Sequence, residues 1–225
     1  MKCLLTAATL EEIKPTIHHF GFPEAAFSSN AAGNLELDVL ISGVGMVSTA
    51  HQLTRALLKA PYDLAVNAGI AGAFDRNLPI GEVVQISSDQ FPEMGAEDGT
   101  QFLSLIQLGL QDPKAFPFLW GELCPQDPWL PELRSLQKVR GITVNKVHGH
   151  LDSILAIQDR VNPQVESMEG AAFYYVCMSE QVPCVQIRSI SNYVEPRNRD
   201  AWNIPLAVKE LNQYLIEMIT VLAES

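Results

Sequence analysis

The sequence lacks both clustered positive charge and long hydrophobic runs. It contains 15 Lys and Arg residues against 26 Asp and Glu residues, and its formal net charge is −11. Nucleic-acid binding depends largely on clustered basic side chains that neutralise phosphates, so this charge argues against a nucleic-acid partner. No segment approaches the roughly 18 consecutive apolar residues that a membrane-spanning helix requires. We therefore expect a protein that binds neither nucleic acid nor membrane.

Cysteine and histidine are sparse, and their spacing matches no metal site or disulfide framework. The four cysteines, at positions 3, 124, 177 and 184, lie far apart and form no C-x-x-C pair. The five histidines lack a matching pattern of acids or cysteines, and the G-x-S-x-G motif of serine hydrolases is absent. We predict reduced thiols in a cytoplasmic protein that uses no metal and no organic cofactor.

Apolar runs alternate with helix-like segments along the 225 residues, of which 47% are hydrophobic. Strands are predicted at 2–8, 37–42, 64–68, 83–87, 142–147 and 182–190, and helices at 11–20, 46–59, 153–160, 169–180 and 206–223. Asp152 is the expected N-cap of the third helix. This order predicts an α/β fold with three layers, α/β/α, around a central mixed sheet. We expect one domain over 1–225, with a loop-rich insertion at 91–131, where prolines and aromatics are frequent.

Three predicted strands end in glycine-bearing segments: S-G-V-G-M-V-S-T-A, N-A-G-I-A-G-A-F and V-H-G-H. Glycine lets the backbone approach a ligand closely, and open α/β sheets bind ligands at the carboxyl ends of their strands. Tight turns are the alternative for each segment alone. The first segment is a poor dinucleotide-binding motif, because Ser48 replaces the third glycine and Asp63 precedes the next strand instead of ending it.

Two carboxylates and one amide are candidates for chemistry at this edge. Glu12 follows the first strand, and Glu169 begins an apolar helix, where a buried charge needs a partner; Arg188 is the expected one. For Glu12 and its neighbour Glu11, a solvated helix face is the commoner role. Asn192 ends the last strand and is either a turn former or a hydrogen-bonding group at the rim of a pocket.

The chain resembles the purine nucleoside phosphorylase and nucleosidase superfamily over nearly its whole length. The segments that carry the resemblance are A-A-T-L-E-E-I, S-G-V-G-M-V-S-T-A, N-A-G-I-A-G-A-F-D-R-N-L-P-I-G-E-V-V, V-E-S-M-E-G-A-A and R-S-I-S-N, in this order. Within the superfamily the sequence is most similar to the futalosine hydrolases, nucleosidases of the alternative menaquinone pathway. The stretch S-N-Y-V-E-P-R-N-R-D-A-W is the most specific part of that similarity.

The resemblance implies a nucleoside phosphorylase/hydrolase-like fold, a small nucleoside substrate and a homodimer whose 91–131 region reaches toward the neighbouring pocket. It also implies roles for individual residues. Glu12 would be the general base that aligns water, while Glu169 would hold the ribose hydroxyls with Met168 packed on the sugar. The segment around His148 would meet the purine, and Gly45 would lie beside the sugar.

Two departures from the related adenine-specific nucleosidases suggest the substrate. These enzymes carry Ser-Asp at the last strand end, where the sequence has Ser191-Asn192. An amide offers a donor and an acceptor, which suits the 6-oxopurine hypoxanthine better than adenine. Ile70 replaces a small hydroxyl residue used around phosphate or water, which favours hydrolysis over phosphorolysis.

The resulting hypothesis is a nucleosidase that releases hypoxanthine from futalosine. The alternatives are a purine nucleoside phosphorylase, a methylthioadenosine/S-adenosylhomocysteine nucleosidase-type enzyme, and a nucleoside-binding relative without activity. The carboxyphenyl tail of futalosine requires a cation and apolar surface. Candidates are Arg197, Arg199 and Lys146 for the carboxylate and Phe91, Phe102 and Trp202 for the ring, although a solvated loop explains the charged residues equally well.

Overall fold

The computed structural model describes residues 1–128 and 130–224, and in this part of the chain it has twelve strands and five α-helices. The strands are β1 (Lys2–Ala7), β2 (Phe27–Ala32), β3 (Leu35–Ile41), β4 (Leu64–Ala73), β5 (Val83–Gln90), β6 (Gly95–Asp98), β7 (Gln101–Ser104), β8 (Phe118–Leu119), β9 (Glu122–Leu123), β10 (Gln137–Thr143), β11 (Val165–Ser167) and β12 (Cys184–Tyr193). The helices are α1 (Leu10–His19), α2 (Met46–Leu57), α3 (Leu151–Val161), α4 (Gly170–Ser179) and α5 (Ile204–Glu224).

The central sheet is mixed, as predicted. Its strand order is β2-β3-β1-β4-β11-β10-β5-β9-β8, and β12 pairs with both β4 and β5. β1 runs parallel to β3 and β4, and β12 runs parallel to β4 but antiparallel to β5. Strand β4 is the centre of this arrangement, because its last residues have β12 on one side and β11 on the other.

Helices cover both faces of the sheet, which confirms the three-layer prediction. Successive residues of β1 point to opposite faces. Leu4 packs in a buried cluster with residues of α2 and α4, whereas Cys3 and Leu5 pack in a second cluster with residues of α1 and α5. A third buried cluster joins Ile154 and Ile157 of α3 to the end of β10.

Several predicted boundaries were wrong for identifiable reasons. The strand predicted at 142–147 is β10, which leaves the sheet after Thr143. Outside the 91–131 segment, two strands were missed: β2 is mostly exposed and polar at the sheet edge, and β11 has only three residues. His150, not Asp152, is the N-cap of α3. Asp152 lies in the first helical turn, where a negative charge still interacts favourably with the helix dipole.

The segment predicted as a loop-rich insertion contains the four short strands β6 to β9, and its residue Trp129 lies outside the described residues. β9 pairs with β5 at Asp89 and Gln90, so this segment extends the sheet next to its core. In residues 1–128 and 130–224, no helix combines the length and apolar character needed to cross a membrane.

Candidate active site

A cavity of about 300 Å³, which we call the site cavity, is lined by the loops that follow β1, β3 and β10, by the ends of β4 and β12, by β11 and the residues after it, and by the start of α5. Seven of the eight predicted site residues line it: Glu12, Ile70, His148, Met168, Glu169, Ser191 and Asn192. The eighth, Gly45, contacts the side chain of Glu169. The structure therefore brings together residues that are separated by up to 180 positions in the sequence.

Glu12 is held by the residues around it. Thr9 is the N-cap of α1, and its N–H and hydroxyl donate to Glu12 Oε2 at 2.9 and 3.0 Å, in the manner of a capping box. Oε1 accepts from the Ile70 N–H at 3.2 Å and keeps a further lone pair. A Cβ on Gly69 would lie 2.9 Å from Oε1, so the absence of a side chain there makes room for the carboxylate.

Glu169 occupies the N-cap position of α4, and its Oε1 accepts from the Gly45 N–H at 2.8 Å. Gly45 is itself the N-cap of α2, with φ of 90°, a conformation that favours glycine. Burial raises the pKa of Glu169, while the Gly45 N–H and the positive charge of Arg188 act in the opposite direction. The negative charge of Glu12 adds to the rise.

Arg188 is not the direct partner of Glu169 that the sequence suggested. The arginine is 2% exposed, and its guanidinium donates to the Asn67 carbonyl at 3.1 Å, to the Asn67 side-chain oxygen and to Gln186 Oε1 at 3.2 Å. It acts on Glu169 by charge alone. Uncharged oxygens of Asn67 and Gln186 accept from its two terminal nitrogens, while its buried Nε has no hydrogen-bond partner among the described residues, and the cation makes no ion pair with a site carboxylate.

Asn192 presents both of its hydrogen-bonding functions near the site cavity. Its Oδ1 accepts from the Ser191 hydroxyl at 2.8 Å, and its Nδ2 donates to the Tyr193 carbonyl at 3.0 Å. Each group keeps capacity for one more hydrogen bond, since an amide has two donor hydrogens and two acceptor lone pairs. Asn192 is therefore equipped to contact a ligand as donor and acceptor.

One acid of the site cavity was missed at the sequence level. Glu166 accepts from the His148 N–H at 3.0 Å and lies 2.6 Å from the His148 Nδ1. Its signal was an acid inside an otherwise buried segment, Val165 to Ser167, which was not recognised as a strand. Thr9 was also missed, although the spacing T-x-x-E is a capping-box signal.

The candidates for the tail of a larger substrate separate into two groups. Trp202 lines the site cavity, and the guanidinium carbons of Arg197 and Arg199 lie 5.2 and 5.9 Å from the centre of its ring. Phe91 and Phe102 instead line a different cavity, of about 650 Å³. In the described part of the chain, no group of three or more His, Cys, Asp or Glu side chains could hold a metal ion.

A buried acid supports the helix that carries Glu169. Asp89 accepts from the Thr143 hydroxyl at 2.9 Å and from Gln186 Nε2 at 3.2 Å, and a Cβ on Gly170 would meet its Oδ2 at 2.3 Å. Burial raises the pKa of Asp89 to about 6, against the lowering effect of these donors and of Arg188. The start of α4 thus packs directly on this carboxyl group.

We predict that Asp89 makes stability depend on pH. The pKa of Asp89 in the folded protein, about 6, lies above the ordinary Asp value of 3.8. The folded protein therefore binds a proton more tightly than the unfolded chain, and the free energy of unfolding falls as pH rises from about 4 through about 6. Asp89→Asn removes this titration. The stability of the variant relative to the original protein should therefore increase by roughly 1–3 kcal/mol between about pH 4 and pH 7, measured by urea denaturation. The control is the corresponding substitution at the exposed Asp98. If the free energy of unfolding depended on pH equally in Asp89→Asn and in the original protein, the prediction would be contradicted.

Comparison with known proteins identifies relatives, although no protein-family model matches the chain. The futalosine hydrolase of Streptomyces coelicolor is 31% identical over 197 residues, which cover 82% of this chain and 79% of that protein. Futalosine hydrolase of Helicobacter pylori strain 26695 has a TM-score of 0.78 at 19% identity, with 97% of each chain covered. The 5′-methylthioadenosine/S-adenosylhomocysteine nucleosidase of S. pneumoniae, solved with the transition-state inhibitor MT-ImmA, has the same TM-score and identity and covers 99% of this chain and 100% of that one.

The two solved structures establish a nucleoside phosphorylase/hydrolase-like fold. The sequence relationship to the Streptomyces protein extends over four fifths of the chain. The chain is therefore a nucleosidase, and it belongs to the futalosine hydrolase family.

Proposed function

We propose that this protein hydrolyses the N-glycosidic bond of futalosine and releases hypoxanthine and dehypoxanthine futalosine, a step of menaquinone biosynthesis by the futalosine pathway. The observation that carries the proposal is that one cavity joins the carboxylates of Glu12 and Glu169 with the amide of Asn192. Membership of the futalosine hydrolase family supports the choice of substrate.

Glu12 acts as the general base in this proposal. As the C1′–N9 bond breaks, its electron pair moves to the purine and the sugar gains positive charge. A water molecule then attacks C1′ and transfers a proton to Glu12 Oε1. Thr9 and the Ile70 N–H fix the carboxylate, so its free lone pair has a defined direction.

Glu169 and Met168 hold the sugar. The Gly45 N–H anchors one oxygen of Glu169, and the remaining lone pairs can accept from the 2′ and 3′ hydroxyls of ribose. Met168 lines the same cavity and provides an apolar surface for the ring. A carboxylate close to the ribose also stabilises the positive charge that develops on the sugar.

Asn192 selects the base, with Ser191 fixing its amide. The NH₂ group donates to O6 of hypoxanthine. N7 takes a proton from solvent water as the bond breaks, and Oδ1 accepts a hydrogen bond from the resulting N7–H; Glu12 then returns the proton that it received from the attacking water to solvent. Adenine would instead direct its own amino group at the NH₂ of Asn192, leaving two donors facing each other. Such a mismatch leaves buried groups unsatisfied, which a specific site discriminates against strongly.

We predict that Glu12→Gln lowers hypoxanthine release from futalosine by about 10²–10⁴-fold, since a general base contributes on this order. Futalosine binding, measured by calorimetry, should remain. Gly69→Ala is a companion variant that leaves Glu12 in place but brings a methyl group to 2.9 Å from its Oε1, so it should also lower turnover. Glu36→Gln, at an exposed acid distant from the cavity, is the control.

The assay for Glu12 also separates hydrolysis from phosphorolysis. Ile70 turns an apolar side chain toward the cavity, which is unfavourable for a phosphate anion. Hypoxanthine release should therefore proceed equally with and without phosphate. Phosphate-dependent turnover of inosine would replace the proposal by a nucleoside phosphorylase, and full activity of Glu12→Gln would remove the proposed role of Glu12.

We predict that Asn192→Asp shifts the base preference toward 6-aminopurines. The carboxylic acid accepts from the adenine amino group, and it repels O6 when it is ionised. The ratio of kcat/KM for futalosine to that for its 6-amino analogue should fall by roughly 10- to 100-fold. An unchanged ratio would contradict the selection by Asn192, whichever substrate is the faster one.

We propose a homodimer in which a second copy covers an apolar cavity of about 500 Å³ between α2, α4 and the 91–131 segment. Val47 and Phe116, both in its wall, are 83% and 71% exposed, which is unusual for large apolar residues that stay in contact with water. The 91–131 segment contributes to the same face, so in this dimer it would reach toward the site cavity of the partner.

The dimer predicts a clear effect of charge in this surface. Val47→Asp should halve the mass measured by analytical ultracentrifugation, because an unpaired charge would be buried in the interface. Leu58→Asp, at another exposed apolar residue beyond the end of α2, is the matched control and should remain dimeric. A monomeric original protein would contradict the proposal.

We further propose that the protein acts in the cytoplasm. Its four cysteines carry free thiols, as expected in a reducing compartment. Cells that lack the protein should accumulate futalosine and stop forming menaquinone, and cell fractionation should recover the protein with cytoplasmic markers. Recovery outside the cytoplasm would contradict this location without affecting the proposed reaction.

A further inference from the structure

Glu166 is a carboxylate of the site cavity that has no role in the proposed reaction. It is 3% exposed and lines the cavity from β11. His148 holds it with two contacts, from the main-chain N–H at 3.0 Å and from Nδ1 at 2.6 Å. In both contacts His148 donates and the Glu166 carboxylate accepts. The contacts fix the carboxylate in one orientation, and further lone pairs of its oxygens stay free.

Strand register places Glu166 beside Asn192, with Gly72 between them. Gly72 of β4 pairs with Glu166 of β11 on one side and with Asn192 of β12 on the other. Residues that pair across a sheet direct their side chains to the same face. The glycine contributes no side chain, so a gap remains between the carboxylate and the amide.

An apolar side chain, Val194, forms the third side of this gap. A Cβ on Gly72 would lie 3.1 Å from Val194 Cγ2, 3.2 Å from Asn192 Nδ2 and 3.6 Å from Glu166 Cγ. The side chains of Asn192 and Glu166 therefore border the same vacant position. The two groups also differ in kind, because the amide nitrogen is a donor and the carboxylate is an acceptor.

This order of donor and acceptor matches one edge of a 6-oxopurine. Hypoxanthine carries the O6 acceptor next to the N1–H donor, whereas adenine carries an amino donor next to the N1 acceptor. Facing Asn192 Nδ2 and Glu166, hypoxanthine forms two hydrogen bonds, and adenine meets a donor with a donor and an acceptor with an acceptor.

We propose that Glu166 is a specificity-determining residue that accepts a hydrogen bond from N1–H of a 6-oxopurine base. His148 is a positioning residue, since its two N–H groups direct the carboxylate toward the base. This inference rests on the proposed function and deepens it: Asn192 recognises the N7 and O6 positions, and Glu166 recognises the adjoining N1 position.

The first test is the Glu166→Gln variant. The two contacts from His148 reach different oxygens of Glu166, so the amide oxygen of the variant keeps one of them and its NH₂ group replaces the other oxygen, which exchanges an acceptor for a donor beside N1. The ratio of kcat/KM for futalosine to that for its 6-amino analogue should fall roughly 10- to 100-fold. Asp152→Asn, at an exposed acid near the same loop, should leave the ratio unchanged. A general loss of activity on both substrates with the ratio preserved would overturn the proposal.

The second test uses the unmodified protein and needs no turnover. Hypoxanthine, adenine and 6-methoxypurine are compared by calorimetry; 6-methoxypurine keeps an oxygen at position 6 but has a lone pair instead of a hydrogen at N1. Hypoxanthine should bind at least about 10-fold more tightly than either of the others, and Glu166→Gln should abolish the difference between hypoxanthine and 6-methoxypurine. Equal binding of these two bases by the unmodified protein, or a difference that persists in the variant, would overturn the role of Glu166.

The two proposals can fail separately. If futalosine is not hydrolysed but the base preference is present and lost in Glu166→Gln, the proposed substrate is wrong and the reading of Glu166 stands. If futalosine is hydrolysed and Glu166→Gln leaves the base preference intact, the proposed function stands and the role of Glu166 is wrong.

Discussion

Four carboxylates line the site cavity, and three of them, all except the exposed Glu11, are each held by a main-chain N–H group from a neighbouring element. Ile70 donates to Glu12, Gly45 to Glu169 and His148 to Glu166. Neutral dipoles stabilise a buried negative charge without cancelling it, unlike a lysine or arginine in contact. The cavity therefore keeps the electron-rich character that a reaction through a sugar cation requires.

This arrangement explains where the buried cation lies. Arg188 is close enough to act on the charge of Glu169, yet its two terminal nitrogens donate to uncharged oxygens of Asn67 and Gln186. A direct ion pair would have neutralised Glu169 and occupied the lone pairs needed for sugar hydroxyls. Gln186 also contacts Asp89, which links Arg188 to the support of α4 through uncharged groups.

Sequence patterns could predict the features that depend on residues close together in the chain, but not those that depend on tertiary packing. The strands with continuous apolar runs were recognisable from neighbouring residues, and so was Glu12, because it follows the first apolar run directly. Glu166 was not recognisable, because β11 has three residues and is defined only by its pairing with β4 and β10. The partner of Arg188 was misjudged for a similar reason: charge complementarity suggested Glu169, but three-dimensional packing offered enough uncharged oxygens.

The two proposed contacts to the base, from Asn192 and from Glu166, differ in what they contribute to the reaction. As the glycosidic bond breaks, electron density moves onto the purine, including O6, so a hydrogen bond from Asn192 to O6 strengthens toward the transition state and lowers the barrier. The N1–H group becomes a weaker donor at the same time, so its hydrogen bond to Glu166 weakens slightly. In the proposed reaction, Glu166 would therefore contribute to the choice of base, whereas Asn192 would contribute to both the choice of base and the rate. A site with the amide alone would accelerate departure of any base with an acceptor at position 6, and the carboxylate across Gly72 restricts that set to bases that also carry a hydrogen at N1.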